Sequence, residues 1–424
     1  MLSLAKEPMY MTSKTNHALQ SSLANFDNAD GELKVADRLI TEIAGEAGTP
    51  FYLYDRASLH KRYHQLRQAL PADLNICYAV KANPNNSIIR ELDALYDGLD
   101  IASKGEMMRA LDAGSTADRM SFAGPGKSAD ELKFAIENDI GAISVESARE
   151  IDHIRQICQD NNKQVNILVR VNPAFELSSS GMKMGGGPKQ FGIDSELVPE
   201  LIKSLVDDRY LRFHGIHIFA GSQNLSAESI ADSFDNILRY AQTLRVDTGV
   251  PLPIINMGGG FGIPYIAKAT PLDLQAVGLH LSRILQSYRT ELPETSFKIE
   301  LGRYIVGECG IYVSRVLYRK VSRGETFLVT DGGLHHHLAA SGNLGQKMVH
   351  RPMPITVANK LDHPLEHVNL VGPLCTPLDT FGMRMELPTA NEGDLIAVFN
   401  SGAYGYSASP LGFLSHNHPK EIIL

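Results

Sequence analysis

Several reactive side chains of the sequence stand at the ends of short, β-rich runs. Lys81 ends the run 75–81, and a lysine amine can form an imine with an aldehyde. Three consecutive glycines, Gly258–Gly260, follow another run and would let backbone N–H groups approach an anion closely. Glu300 and Arg303 close a third run as a carboxylate and a nearby cation. Other polar or aromatic residues at run ends are Asp100, Arg170, His217 and Phe219.

Each of these features has a simpler explanation when it is taken alone. A lysine at a strand end is commonly a solvated terminus, three glycines can form only a tight turn, and Glu300 with Arg303 can form a surface ion pair. Together they match what pyridoxal phosphate requires: an amine for the aldehyde, a glycine turn with an arginine for the phosphate, and a carboxylate that keeps the pyridine nitrogen protonated. The protonated ring is an electron sink for a carbanion, so the combination predicts this cofactor.

A regular alternation of strands and helices must position these side chains. Three helix-like stretches begin with a capping box, in which a serine accepts an N–H and a glutamate reaches back to the cap amide. The boxes are Ser103–Glu106, Ser128–Glu131 and Ser147–Glu150. The predicted strands are Asn75–Val80, Gly98–Ala102, Met120–Ala123, Ala142–Val145, Val165–Val171, Phe213–Phe219, Pro253–Met257 and Phe297–Leu301, with helices such as Ala227–Leu244 and Leu272–Leu292 between them.

Strands that alternate with helices form parallel βαβ units, and eight of them match the count of a closed (β/α)8 barrel. An open doubly wound sheet is the structural alternative that this pattern leaves. In a barrel the chemistry lies at the carboxyl ends of the strands, which brings the reactive residues to one rim. We therefore predict an α/β fold, a (β/α)8 TIM-like barrel followed by an all-β C-terminal domain.

The pattern of the chain changes near residue 302, where β-rich runs separated by Gly, Pro, Asn and Asp replace the helical periodicity. These runs are Ile311–Lys320, Glu325–Thr330, Val368–Val371 and Leu395–Asn400, and the run Pro50–Asp55 could pair with them. The predicted domains are a flexible leader (1–35), strands that join the C-terminal β domain (36–55), the barrel (56–295) and the β domain (296–424).

Composition excludes several classes of protein. The 424 residues carry a formal net charge of −8 and a pI near 6.0, which argues against a nucleic-acid surface. No apolar run is long enough to span a membrane, and the N-terminus lacks the apolar block of a signal peptide. The four cysteines are far apart and form no CxxC pair, so neither a disulfide framework nor a structural zinc site is expected. We predict a cytoplasmic protein that acts on a small molecule.

Five motifs are similar to those of a known family. They are Tyr78–Asn83, Gly258–Gly262, Glu300–Tyr304, Gly372–Cys375 and Gly402–Gly405, and they resemble the alanine-racemase-fold (type III) decarboxylases that use pyridoxal phosphate, among them the diaminopimelate and ornithine decarboxylases. The resemblance covers roughly residues 45–424. It implies Lys81 as the Schiff-base lysine and Glu300 as the pyridinium partner. The cofactor-binding residues expected with them are Asp100, Arg170, His217, Phe219, Ser222, Gly258, Gly259, Gly260, Gly302, Arg303 and Tyr404.

The same resemblance implies a role for Cys375. In this family the cysteine of the Gly-Pro-x-Cys motif enters the active site of the neighbouring subunit, which makes Cys375 the candidate acid that protonates the product carbanion. A homodimer with shared active sites is therefore expected. The simpler explanation of Cys375 is a small buried hydrophobic side chain.

The reaction implied by the resemblance is α-decarboxylation of an L-amino acid, or of a conjugate that bears one, through an aldimine at Lys81 and a quinonoid. Racemisation is an alternative on the same barrel, but Gly372–Cys375 favours decarboxylation, since racemases of this fold use a partner tyrosine. A pyridoxal-phosphate-binding homeostasis protein without turnover is an alternative of another class. Such proteins resemble the barrel alone, so the β domain argues against it.

Departures from the family pattern concern the substrate. Phe219 stands where the family usually has a histidine that stacks on the cofactor ring, while His217 has the same facing two residues earlier. Thr376 and Pro377 replace the acidic residue with which diaminopimelate decarboxylases grip the distal amine. The segment Asp331–His337 lacks the arginine expected after Asp-Gly. Diaminopimelate itself is therefore disfavoured, although a diaminopimelate decarboxylase of lysine biosynthesis remains the alternative.

Three further motifs resemble a narrower subgroup of specialised pathways: Lys183–Gly192, Asp331–His337 and Cys375–Asp379. Its members act on L-glutamate tethered to an acyl carrier protein or on amino-acid-bearing siderophore precursors, or are associated with exosortase loci. The expected substrate is thus a small amino acid or an acyl-carrier-protein-linked one. The candidate substrate contacts are Asp331, His335, Thr376 and Asp379. No metal is predicted, since adjacent histidines at 335–337 would point to opposite faces of a strand and cannot all reach one ion.

Overall fold

The computed structural model describes residues 16–174, 182–183, 187–342 and 353–424. Its helices are α1 (His17–Leu23), α2 (Ile40–Ala47), α3 (Arg56–Ala69), α4 (Asn86–Leu95), α5 (Lys104–Asp112), α6 (Ala129–Glu137), α7 (Ala148–Asn161), α8 (Val198–Leu205), α9 (Ala227–Thr248), α10 (Leu274–Glu291) and α11 (Arg303–Val306). Its strands are β1 (Asp27–Ala29), β2 (Glu32–Val35), β3 (Arg38–Leu39), β4 (Phe51–Tyr54), β5 (Asn75–Ala79), β6 (Gly98–Ile101), β7 (Met120–Phe122), β8 (Ala142–Val145), β9 (Val165–Asn172), β10 (Met182–Lys183), β11 (Ile193–Asp194), β12 (Leu211–His217), β13 (Gly221–Ser222), β14 (Ile254–Gly259), β15 (Ser296–Leu301), β16 (Gly310–Ser322), β17 (Glu325–Thr330), β18 (Ile355–Val357), β19 (Leu365–Val371), β20 (Thr380–Pro388), β21 (Leu395–Val398) and β22 (Lys420–Ile423).

Eight parallel strands form a closed barrel. β5, β6, β7, β8, β9, β12, β14 and β15 pair in that order, and β15 pairs with β5. The pairing of β8 with β9 completes the circle, which excludes the open doubly wound sheet. Most strand residues are buried, as expected for parallel strands that are covered on their outer face by helices. The predicted (β/α)8 barrel is confirmed, and its strand bounds lie within two residues of the prediction.

Three serines begin barrel helices, as their spacing predicted. Ser103, Ser128 and Ser147 each accept the backbone N–H three residues later, at 3.1, 3.3 and 3.2 Å. The reciprocal bond forms at Ser128, whose N–H donates to Glu131 Oε2 at 3.0 Å. In α5 and α7 the glutamate instead accepts the N–H of the residue before the cap, at 2.7 Å in both helices. The full capping box is therefore present at one of the three predicted sites.

A second, mainly antiparallel sheet follows the barrel along the chain. Its strands lie in the order β18, β21, β16, β17, β19 and β20, while β4 pairs with β16 and β22 pairs with β4. Apolar side chains of β4, β16 and β21 form a buried core with the N-terminal elements. The predicted all-β domain after the barrel is confirmed.

The chain before this sheet is more ordered than predicted. Residues 1–15 of the predicted leader lie outside the described residues, but residues 16–35 contribute α1, β1 and β2. Leu19, Leu33 and Val35 pack in the buried core of the β sheet, and Leu33 N donates to Ala358 O at 2.8 Å. Burial of a few apolar side chains therefore orders a stretch whose overall composition is polar.

Two compact units divide the described chain. One holds the barrel, with Leu59–Ile263 and Pro271–Ile305, and the other holds the chain up to Ser58, Pro264–Thr270 and Val306–Leu424. β15 belongs to the barrel because it pairs with β14 and β5. The barrel thus extends beyond the predicted boundary at residue 295. Within the described residues, none of the helices has the length and apolar character needed to cross a membrane.

Candidate active site

Lys81 lies just beyond the carboxyl end of β5, in the short turn Val80–Ala82. Its Nζ is 3.1 Å from Oδ2 of Asp100, a residue of the neighbouring strand β6. The Asp100 side chain is 1% exposed and that of Lys81 is 42% exposed. Burial and the negative charge of Glu300 raise the pKa of Asp100, and Lys81 opposes that shift. A buried carboxylate thus holds an accessible amine at the barrel rim.

Glu300 is a buried carboxylate on β15 with a polar group at each oxygen. Asn256 Nδ2 donates to Oε1, and His217 Nε2 lies 3.4 Å from Oε2. Burial alone would raise the pKa of Glu300, but its contacts with His217, Lys81 and the Asn256 amide lower this pKa overall. The site therefore keeps Glu300 ionised and fixed in orientation.

The turn Gly258–Gly260 requires glycine, because other backbone segments approach it closely. A Cβ at Gly259 would lie 2.1 Å from Glu300 O, and one at Gly260 would lie 2.2 Å from Gly221 O. Gly258 and Gly260 also have positive φ angles of 66° and 82°. Alternation in the sign of φ along a turn can direct successive backbone N–H groups toward an anion. The turn lies beside Glu300, because Gly259 pairs with Glu300 in the barrel.

Gly302 and Arg303 continue from Glu300 along the same rim. A Cβ at Gly302 would lie 2.9 Å from the Cβ of Ala82, so the absence of a side chain brings this segment against the Lys81 turn. Arg303 is the first residue of α11. The predicted amine, carboxylate and arginine are therefore brought together at the carboxyl ends of β5 and β15.

Phe219 and Ser222 lie in the segment that follows β12. The Phe219 ring centroid is 5.9 Å from Lys81 Nζ, so an aromatic face borders the amine at the position where the family usually has histidine. Ser222 lies on β13, beside the glycine turn, since a Cβ at Gly260 would lie 3.6 Å from the Ser222 Cα. His217 lies deeper, at 2% exposure, with Nδ1 2.8 Å from Ser144 Oγ.

Arg170 forms a buried ion pair that the sequence did not indicate. Its Nη1 is 2.7 Å from Glu146 Oε1, and its guanidinium lies 4.9 Å from the centre of the Phe191 ring. Glu146 also accepts the N–H groups of Gly124 and Gly192. Glu146 thus joins three rim loops, and Arg170 supports them through its ion pair with Glu146. The role of Arg170 in the cofactor site stays a prediction.

Asp331 and Asp379, two predicted substrate contacts, use their carboxylates within the β unit. Asp379 accepts the N–H groups of Leu334 and Leu374 at 2.6 and 2.8 Å and is 3% exposed. Asp331 accepts Arg315 N at 2.8 Å and the hydroxyl of Thr49. Burial raises the pKa of both carboxyls. Both carboxylates therefore hold loops together within this chain, and their predicted contact with substrate stays a prediction.

Cys375, Thr376, His335 and Tyr404 also belong to the β unit. Cys375 is an exposed free thiol, which contradicts the explanation of a buried hydrophobic side chain. Thr376 is partly exposed beside it. Tyr404 has a positive φ of 54°, a conformation that is uncommon for a side chain of its size.

His335 is fully buried, and neither ring nitrogen makes a hydrogen bond with a described residue. Its ring centroid lies 3.6 Å from that of His336 and 4.8 Å from that of His416, with the rings tilted by 39° and 45°. The described parts of the chain contain no group of three or more His, Cys, Asp or Glu side chains arranged to hold a metal ion. Of the motif Lys183–Gly192, residues 184–186 lie outside the described residues.

Sequence reasoning missed Ser144, Glu146 and Asn256. Each lies at or near the carboxyl end of a predicted strand, and each is buried and polar. Position in the barrel was the available signal, because buried polar side chains at strand ends usually contact a ligand or its supporting residues. Their partners are distant in sequence, so the pairing itself could not be inferred from the chain.

Comparison with known families shows which family the chain belongs to. Residues 56–307, more than half of the chain, match the family described as pyridoxal-dependent decarboxylase, pyridoxal binding domain. The chain belongs to this family. The predicted cofactor class and reaction type, a carboxy-lyase that depends on pyridoxal phosphate, are thereby confirmed.

Three known proteins similar to this decarboxylase differ in the substrate or ligand that their names give. The L-glutamyl-[BtrI acyl-carrier protein] decarboxylase of Niallia circulans is 36% identical over 91% of this chain and 90% of its own. The 2-[(L-alanin-3-ylcarbamoyl)methyl]-2-hydroxybutanedioate decarboxylase of Staphylococcus aureus is 30% identical over 88% and 93%. The structure of Helicobacter pylori diaminopimelate decarboxylase complexed with L-lysine has a TM-score of 0.81 and 30% identity, covering 91% and 93%.

The barrel rim of this decarboxylase fits pyridoxal phosphate. Asp100 Oδ1 and His217 Nε2 are buried polar atoms that make no hydrogen bond with any described residue. They lie with an accessible amine, an ionised carboxylate and a glycine turn, which are the donor and acceptor types that an aldehyde, a pyridine nitrogen and a phosphate need. Lys81, Glu300 and the Gly258–Gly260 turn are thus the residues that could hold the group.

Proposed function

We propose that this decarboxylase removes the α-carboxyl group of an L-amino acid, or of a conjugate that bears one, with Lys81 and Glu300 as its central residues. The observation that carries this proposal is the fixed, ionised Glu300 on the same rim as the accessible Lys81 amine. Pyridoxal phosphate supplies an electron sink for the electrons left at Cα when CO2 departs.

Each residue of the rim has a defined task in this proposal. The Lys81 amine binds the aldehyde, and Asp100 holds that amine in place before binding. Glu300, as an acceptor, holds a proton on the pyridine nitrogen, which makes the ring a better acceptor of electrons. The glycine turn and Arg303 would bind the phosphate, and the Phe219 ring, 5.9 Å from the Lys81 amine, would lie beside the cofactor. Ser222 and Tyr404 stay predictions that rest on the family resemblance.

Protonation of the product carbon needs an acid, and we assign this task to Cys375 of a second copy of the chain. The thiol is exposed in one chain and thus accessible to a partner. The proposal includes a homodimer with shared sites. Mixing a Lys81→Ala chain with a Cys375→Ala chain, each inactive or slow alone, should restore part of the activity. If mixed dimers formed without any recovery, the shared site would be wrong.

We further propose that the amino acid is attached to a larger carrier. The 36% identical relative is named for an L-glutamyl acyl-carrier-protein substrate, and the 30% identical relative from Staphylococcus aureus for an alanine unit joined to a hydroxybutanedioate. Thr376 and Pro377 give no charge that could grip a distal amine. A substrate without a free distal amine is compatible with both features, and a pathway of specialised biosynthesis would supply it.

The test is CO2 release from labelled substrates by protein loaded with pyridoxal phosphate. Free diaminopimelate, ornithine, lysine and glutamate are compared with glutamate loaded on an acyl carrier protein. Release confined to the tethered substrate supports the proposal. Release from free diaminopimelate at a higher rate than from all others would assign the chain to lysine biosynthesis. Racemisation of an amino acid without CO2 would refute decarboxylation altogether.

Diaminopimelate decarboxylase is the second candidate. It is favoured by the structural similarity to the Helicobacter pylori enzyme at 30% identity. Against it stand Thr376 and Pro377, which supply no acidic residue for a distal amine, and the segment Asp331–His337, which lacks the arginine expected after Asp-Gly.

We place the reaction in the cytoplasm. All four cysteines are free thiols, and Cys77, Cys158 and Cys309 are buried. Thiols of this kind persist in a reducing compartment. Location of a tagged copy in fractionated cells would test this assignment.

A further inference from the structure

A chain of buried polar side chains crosses the barrel interior from β8 to β15. Ser144 on β8 is 0% exposed, His217 at the end of β12 is 2% exposed, and Glu300 on β15 is 4% exposed. Ser144 Oγ lies 2.8 Å from His217 Nδ1. The opposite ring nitrogen, Nε2, lies 3.4 Å from Glu300 Oε2, which makes this an electrostatic contact.

The Glu300 carboxylate determines which ring nitrogen of His217 carries the hydrogen. An ionised carboxylate only accepts hydrogen bonds, so the histidine nitrogen that faces it must carry a hydrogen for the contact to be attractive. In a neutral imidazole the other nitrogen is then an acceptor. Ser144 can donate its hydroxyl hydrogen to that nitrogen. The opposite tautomer would direct the Nε2 lone pair at the carboxylate and repel it.

Ser144 is itself held in place by its backbone. The buried Lys127 amine, with its side chain 1% exposed, donates to Ser144 O at 2.9 Å and pairs with Glu150 at 2.7 Å. The charged groups that face His217 from other strands are Glu300 and Asp100. The hydroxyl therefore projects from a fixed strand end toward a ring that has carboxylates on its other side.

We propose that Ser144 is a positioning residue that holds the His217 ring through a hydrogen bond to Nδ1, in the Nε2–H tautomer that the Glu300 carboxylate requires. That tautomer, together with the Asn256 amide, orients the Glu300 carboxylate toward the pyridine nitrogen of pyridoxal phosphate. The inference deepens the proposed function, since it rests on the role of Glu300 given there. Neither Ser144 nor Asn256 belongs to any motif of the family resemblance.

Nitrogen NMR of the full chain tests the tautomer directly, since long-range 1H–15N correlations distinguish protonated from unprotonated ring nitrogens. The His217 signals are identified as those that a His217→Gln variant lacks. In the wild-type chain we expect Nε2 protonated and Nδ1 unprotonated. Protonation at Nδ1, whether in the other tautomer or in the cation, would overturn the proposal without any variant.

Ser144→Ala removes the partner of Nδ1, so the Nδ1 resonance of His217 should move toward that of a ring nitrogen that accepts no hydrogen bond. Ser121→Ala is the matched control, because it removes a buried hydroxyl from the neighbouring strand β7, and Ser121 Oγ makes no hydrogen bond with a described residue. We expect the control to leave the His217 signals unchanged. An unchanged Nδ1 resonance in Ser144→Ala would refute the positioning of the ring by Ser144.

Affinity for pyridoxal phosphate gives a second readout. Loss of one buried hydrogen bond predicts a Kd about five-fold higher in Ser144→Ala, with a change under about two-fold in Ser121→Ala. Equal affinities in the two variants would refute the link from Ser144 to Glu300. Failure of the proposed decarboxylation would appear separately, as wild-type protein that releases no CO2, and the tautomer measurement does not depend on it.

Discussion

Arg170 and Glu146 form a buried ion pair of 2.7 Å between the carboxyl ends of β9 and β8. Their side chains are 9% and 3% exposed. Glu146 also accepts Gly124 N at 2.8 Å and Gly192 N at 3.0 Å, so one carboxylate joins the loops after three barrel strands. The pair therefore supports the rim that carries the candidate site.

Glu146→Gln should destabilise the protein strongly, because it leaves the Arg170 charge buried without its partner. Breaking a buried pair in this way costs about 3–5 kcal/mol. The free energy of unfolding in urea measures the loss, with Glu294→Gln at an exposed position as the matched control. The control should change stability by less than about 0.5 kcal/mol. Equal effects of the two substitutions would show that the pair contributes nothing.

Lys81→Ala should abolish turnover and the visible absorption of the covalently held cofactor. Lys133→Ala, at an exposed helical position, is the control and should retain both. The absorption spectrum of protein loaded with pyridoxal phosphate measures the first effect, and CO2 release measures the second. Turnover near the wild-type rate in Lys81→Ala would remove this lysine from the mechanism.

The fold could be predicted because its signals are local. Strand bounds followed from short β-rich runs, and helix starts followed from three capping serines, since each depends on neighbouring residues. The order of strands in a barrel is also constrained by the parallel βαβ connection. The ordered segment 16–35 was missed because the apolar residues Leu19, Leu33 and Val35 find their partners on distant strands.

The candidate site was only partly predictable for the same reason. Lys81, Glu300 and the glycine turn belong to motifs of adjacent residues. Asn256, Ser144 and Glu146 act through side chains that the barrel brings from other strands. Asp379 also has a structural role that its position after Cys375 did not indicate, because its buried carboxylate accepts two backbone N–H groups.

Asp379→Asn should loosen the loop that carries Cys375. An asparagine oxygen can accept one of the two N–H groups of Leu334 and Leu374, while its amide faces the other and leaves it without an acceptor. One unsatisfied buried group costs about 1–3 kcal/mol of unfolding free energy. Because the loop carries the proposed acid, the decarboxylation rate should fall more than the affinity for pyridoxal phosphate. The matched control is Asp247→Asn at an exposed position, and a loss of stability no larger than in that control would contradict the assignment.

Because the histidines at 335–337 are buried, we expect the free energy of unfolding to decrease in acid. Burial lowers the pKa of His337 to about 3, that of His335 to about 3 and that of His336 to about 4. His337 is held in one neutral tautomer, because Nδ1 accepts Ala340 N at 3.2 Å and Nε2 lies 2.9 Å from Ser401 Oγ. A proton on Nδ1 would face that N–H and break the bond.

The sign of the effect follows from proton binding. An unfolded histidine titrates near pH 6.5, so between about pH 6.5 and about pH 3 the unfolded chain binds more protons than the folded one. The free energy of unfolding is therefore fully present above this window and falls as the pH decreases through it. Urea unfolding at about pH 7.5 and about pH 5 measures the slope. His337→Asn should be less stable than wild type at the higher pH but should lose less on acidification, whereas the exposed control His153→Asn should keep the wild-type slope. A wild-type slope in His337→Asn would show that another group carries the acid sensitivity.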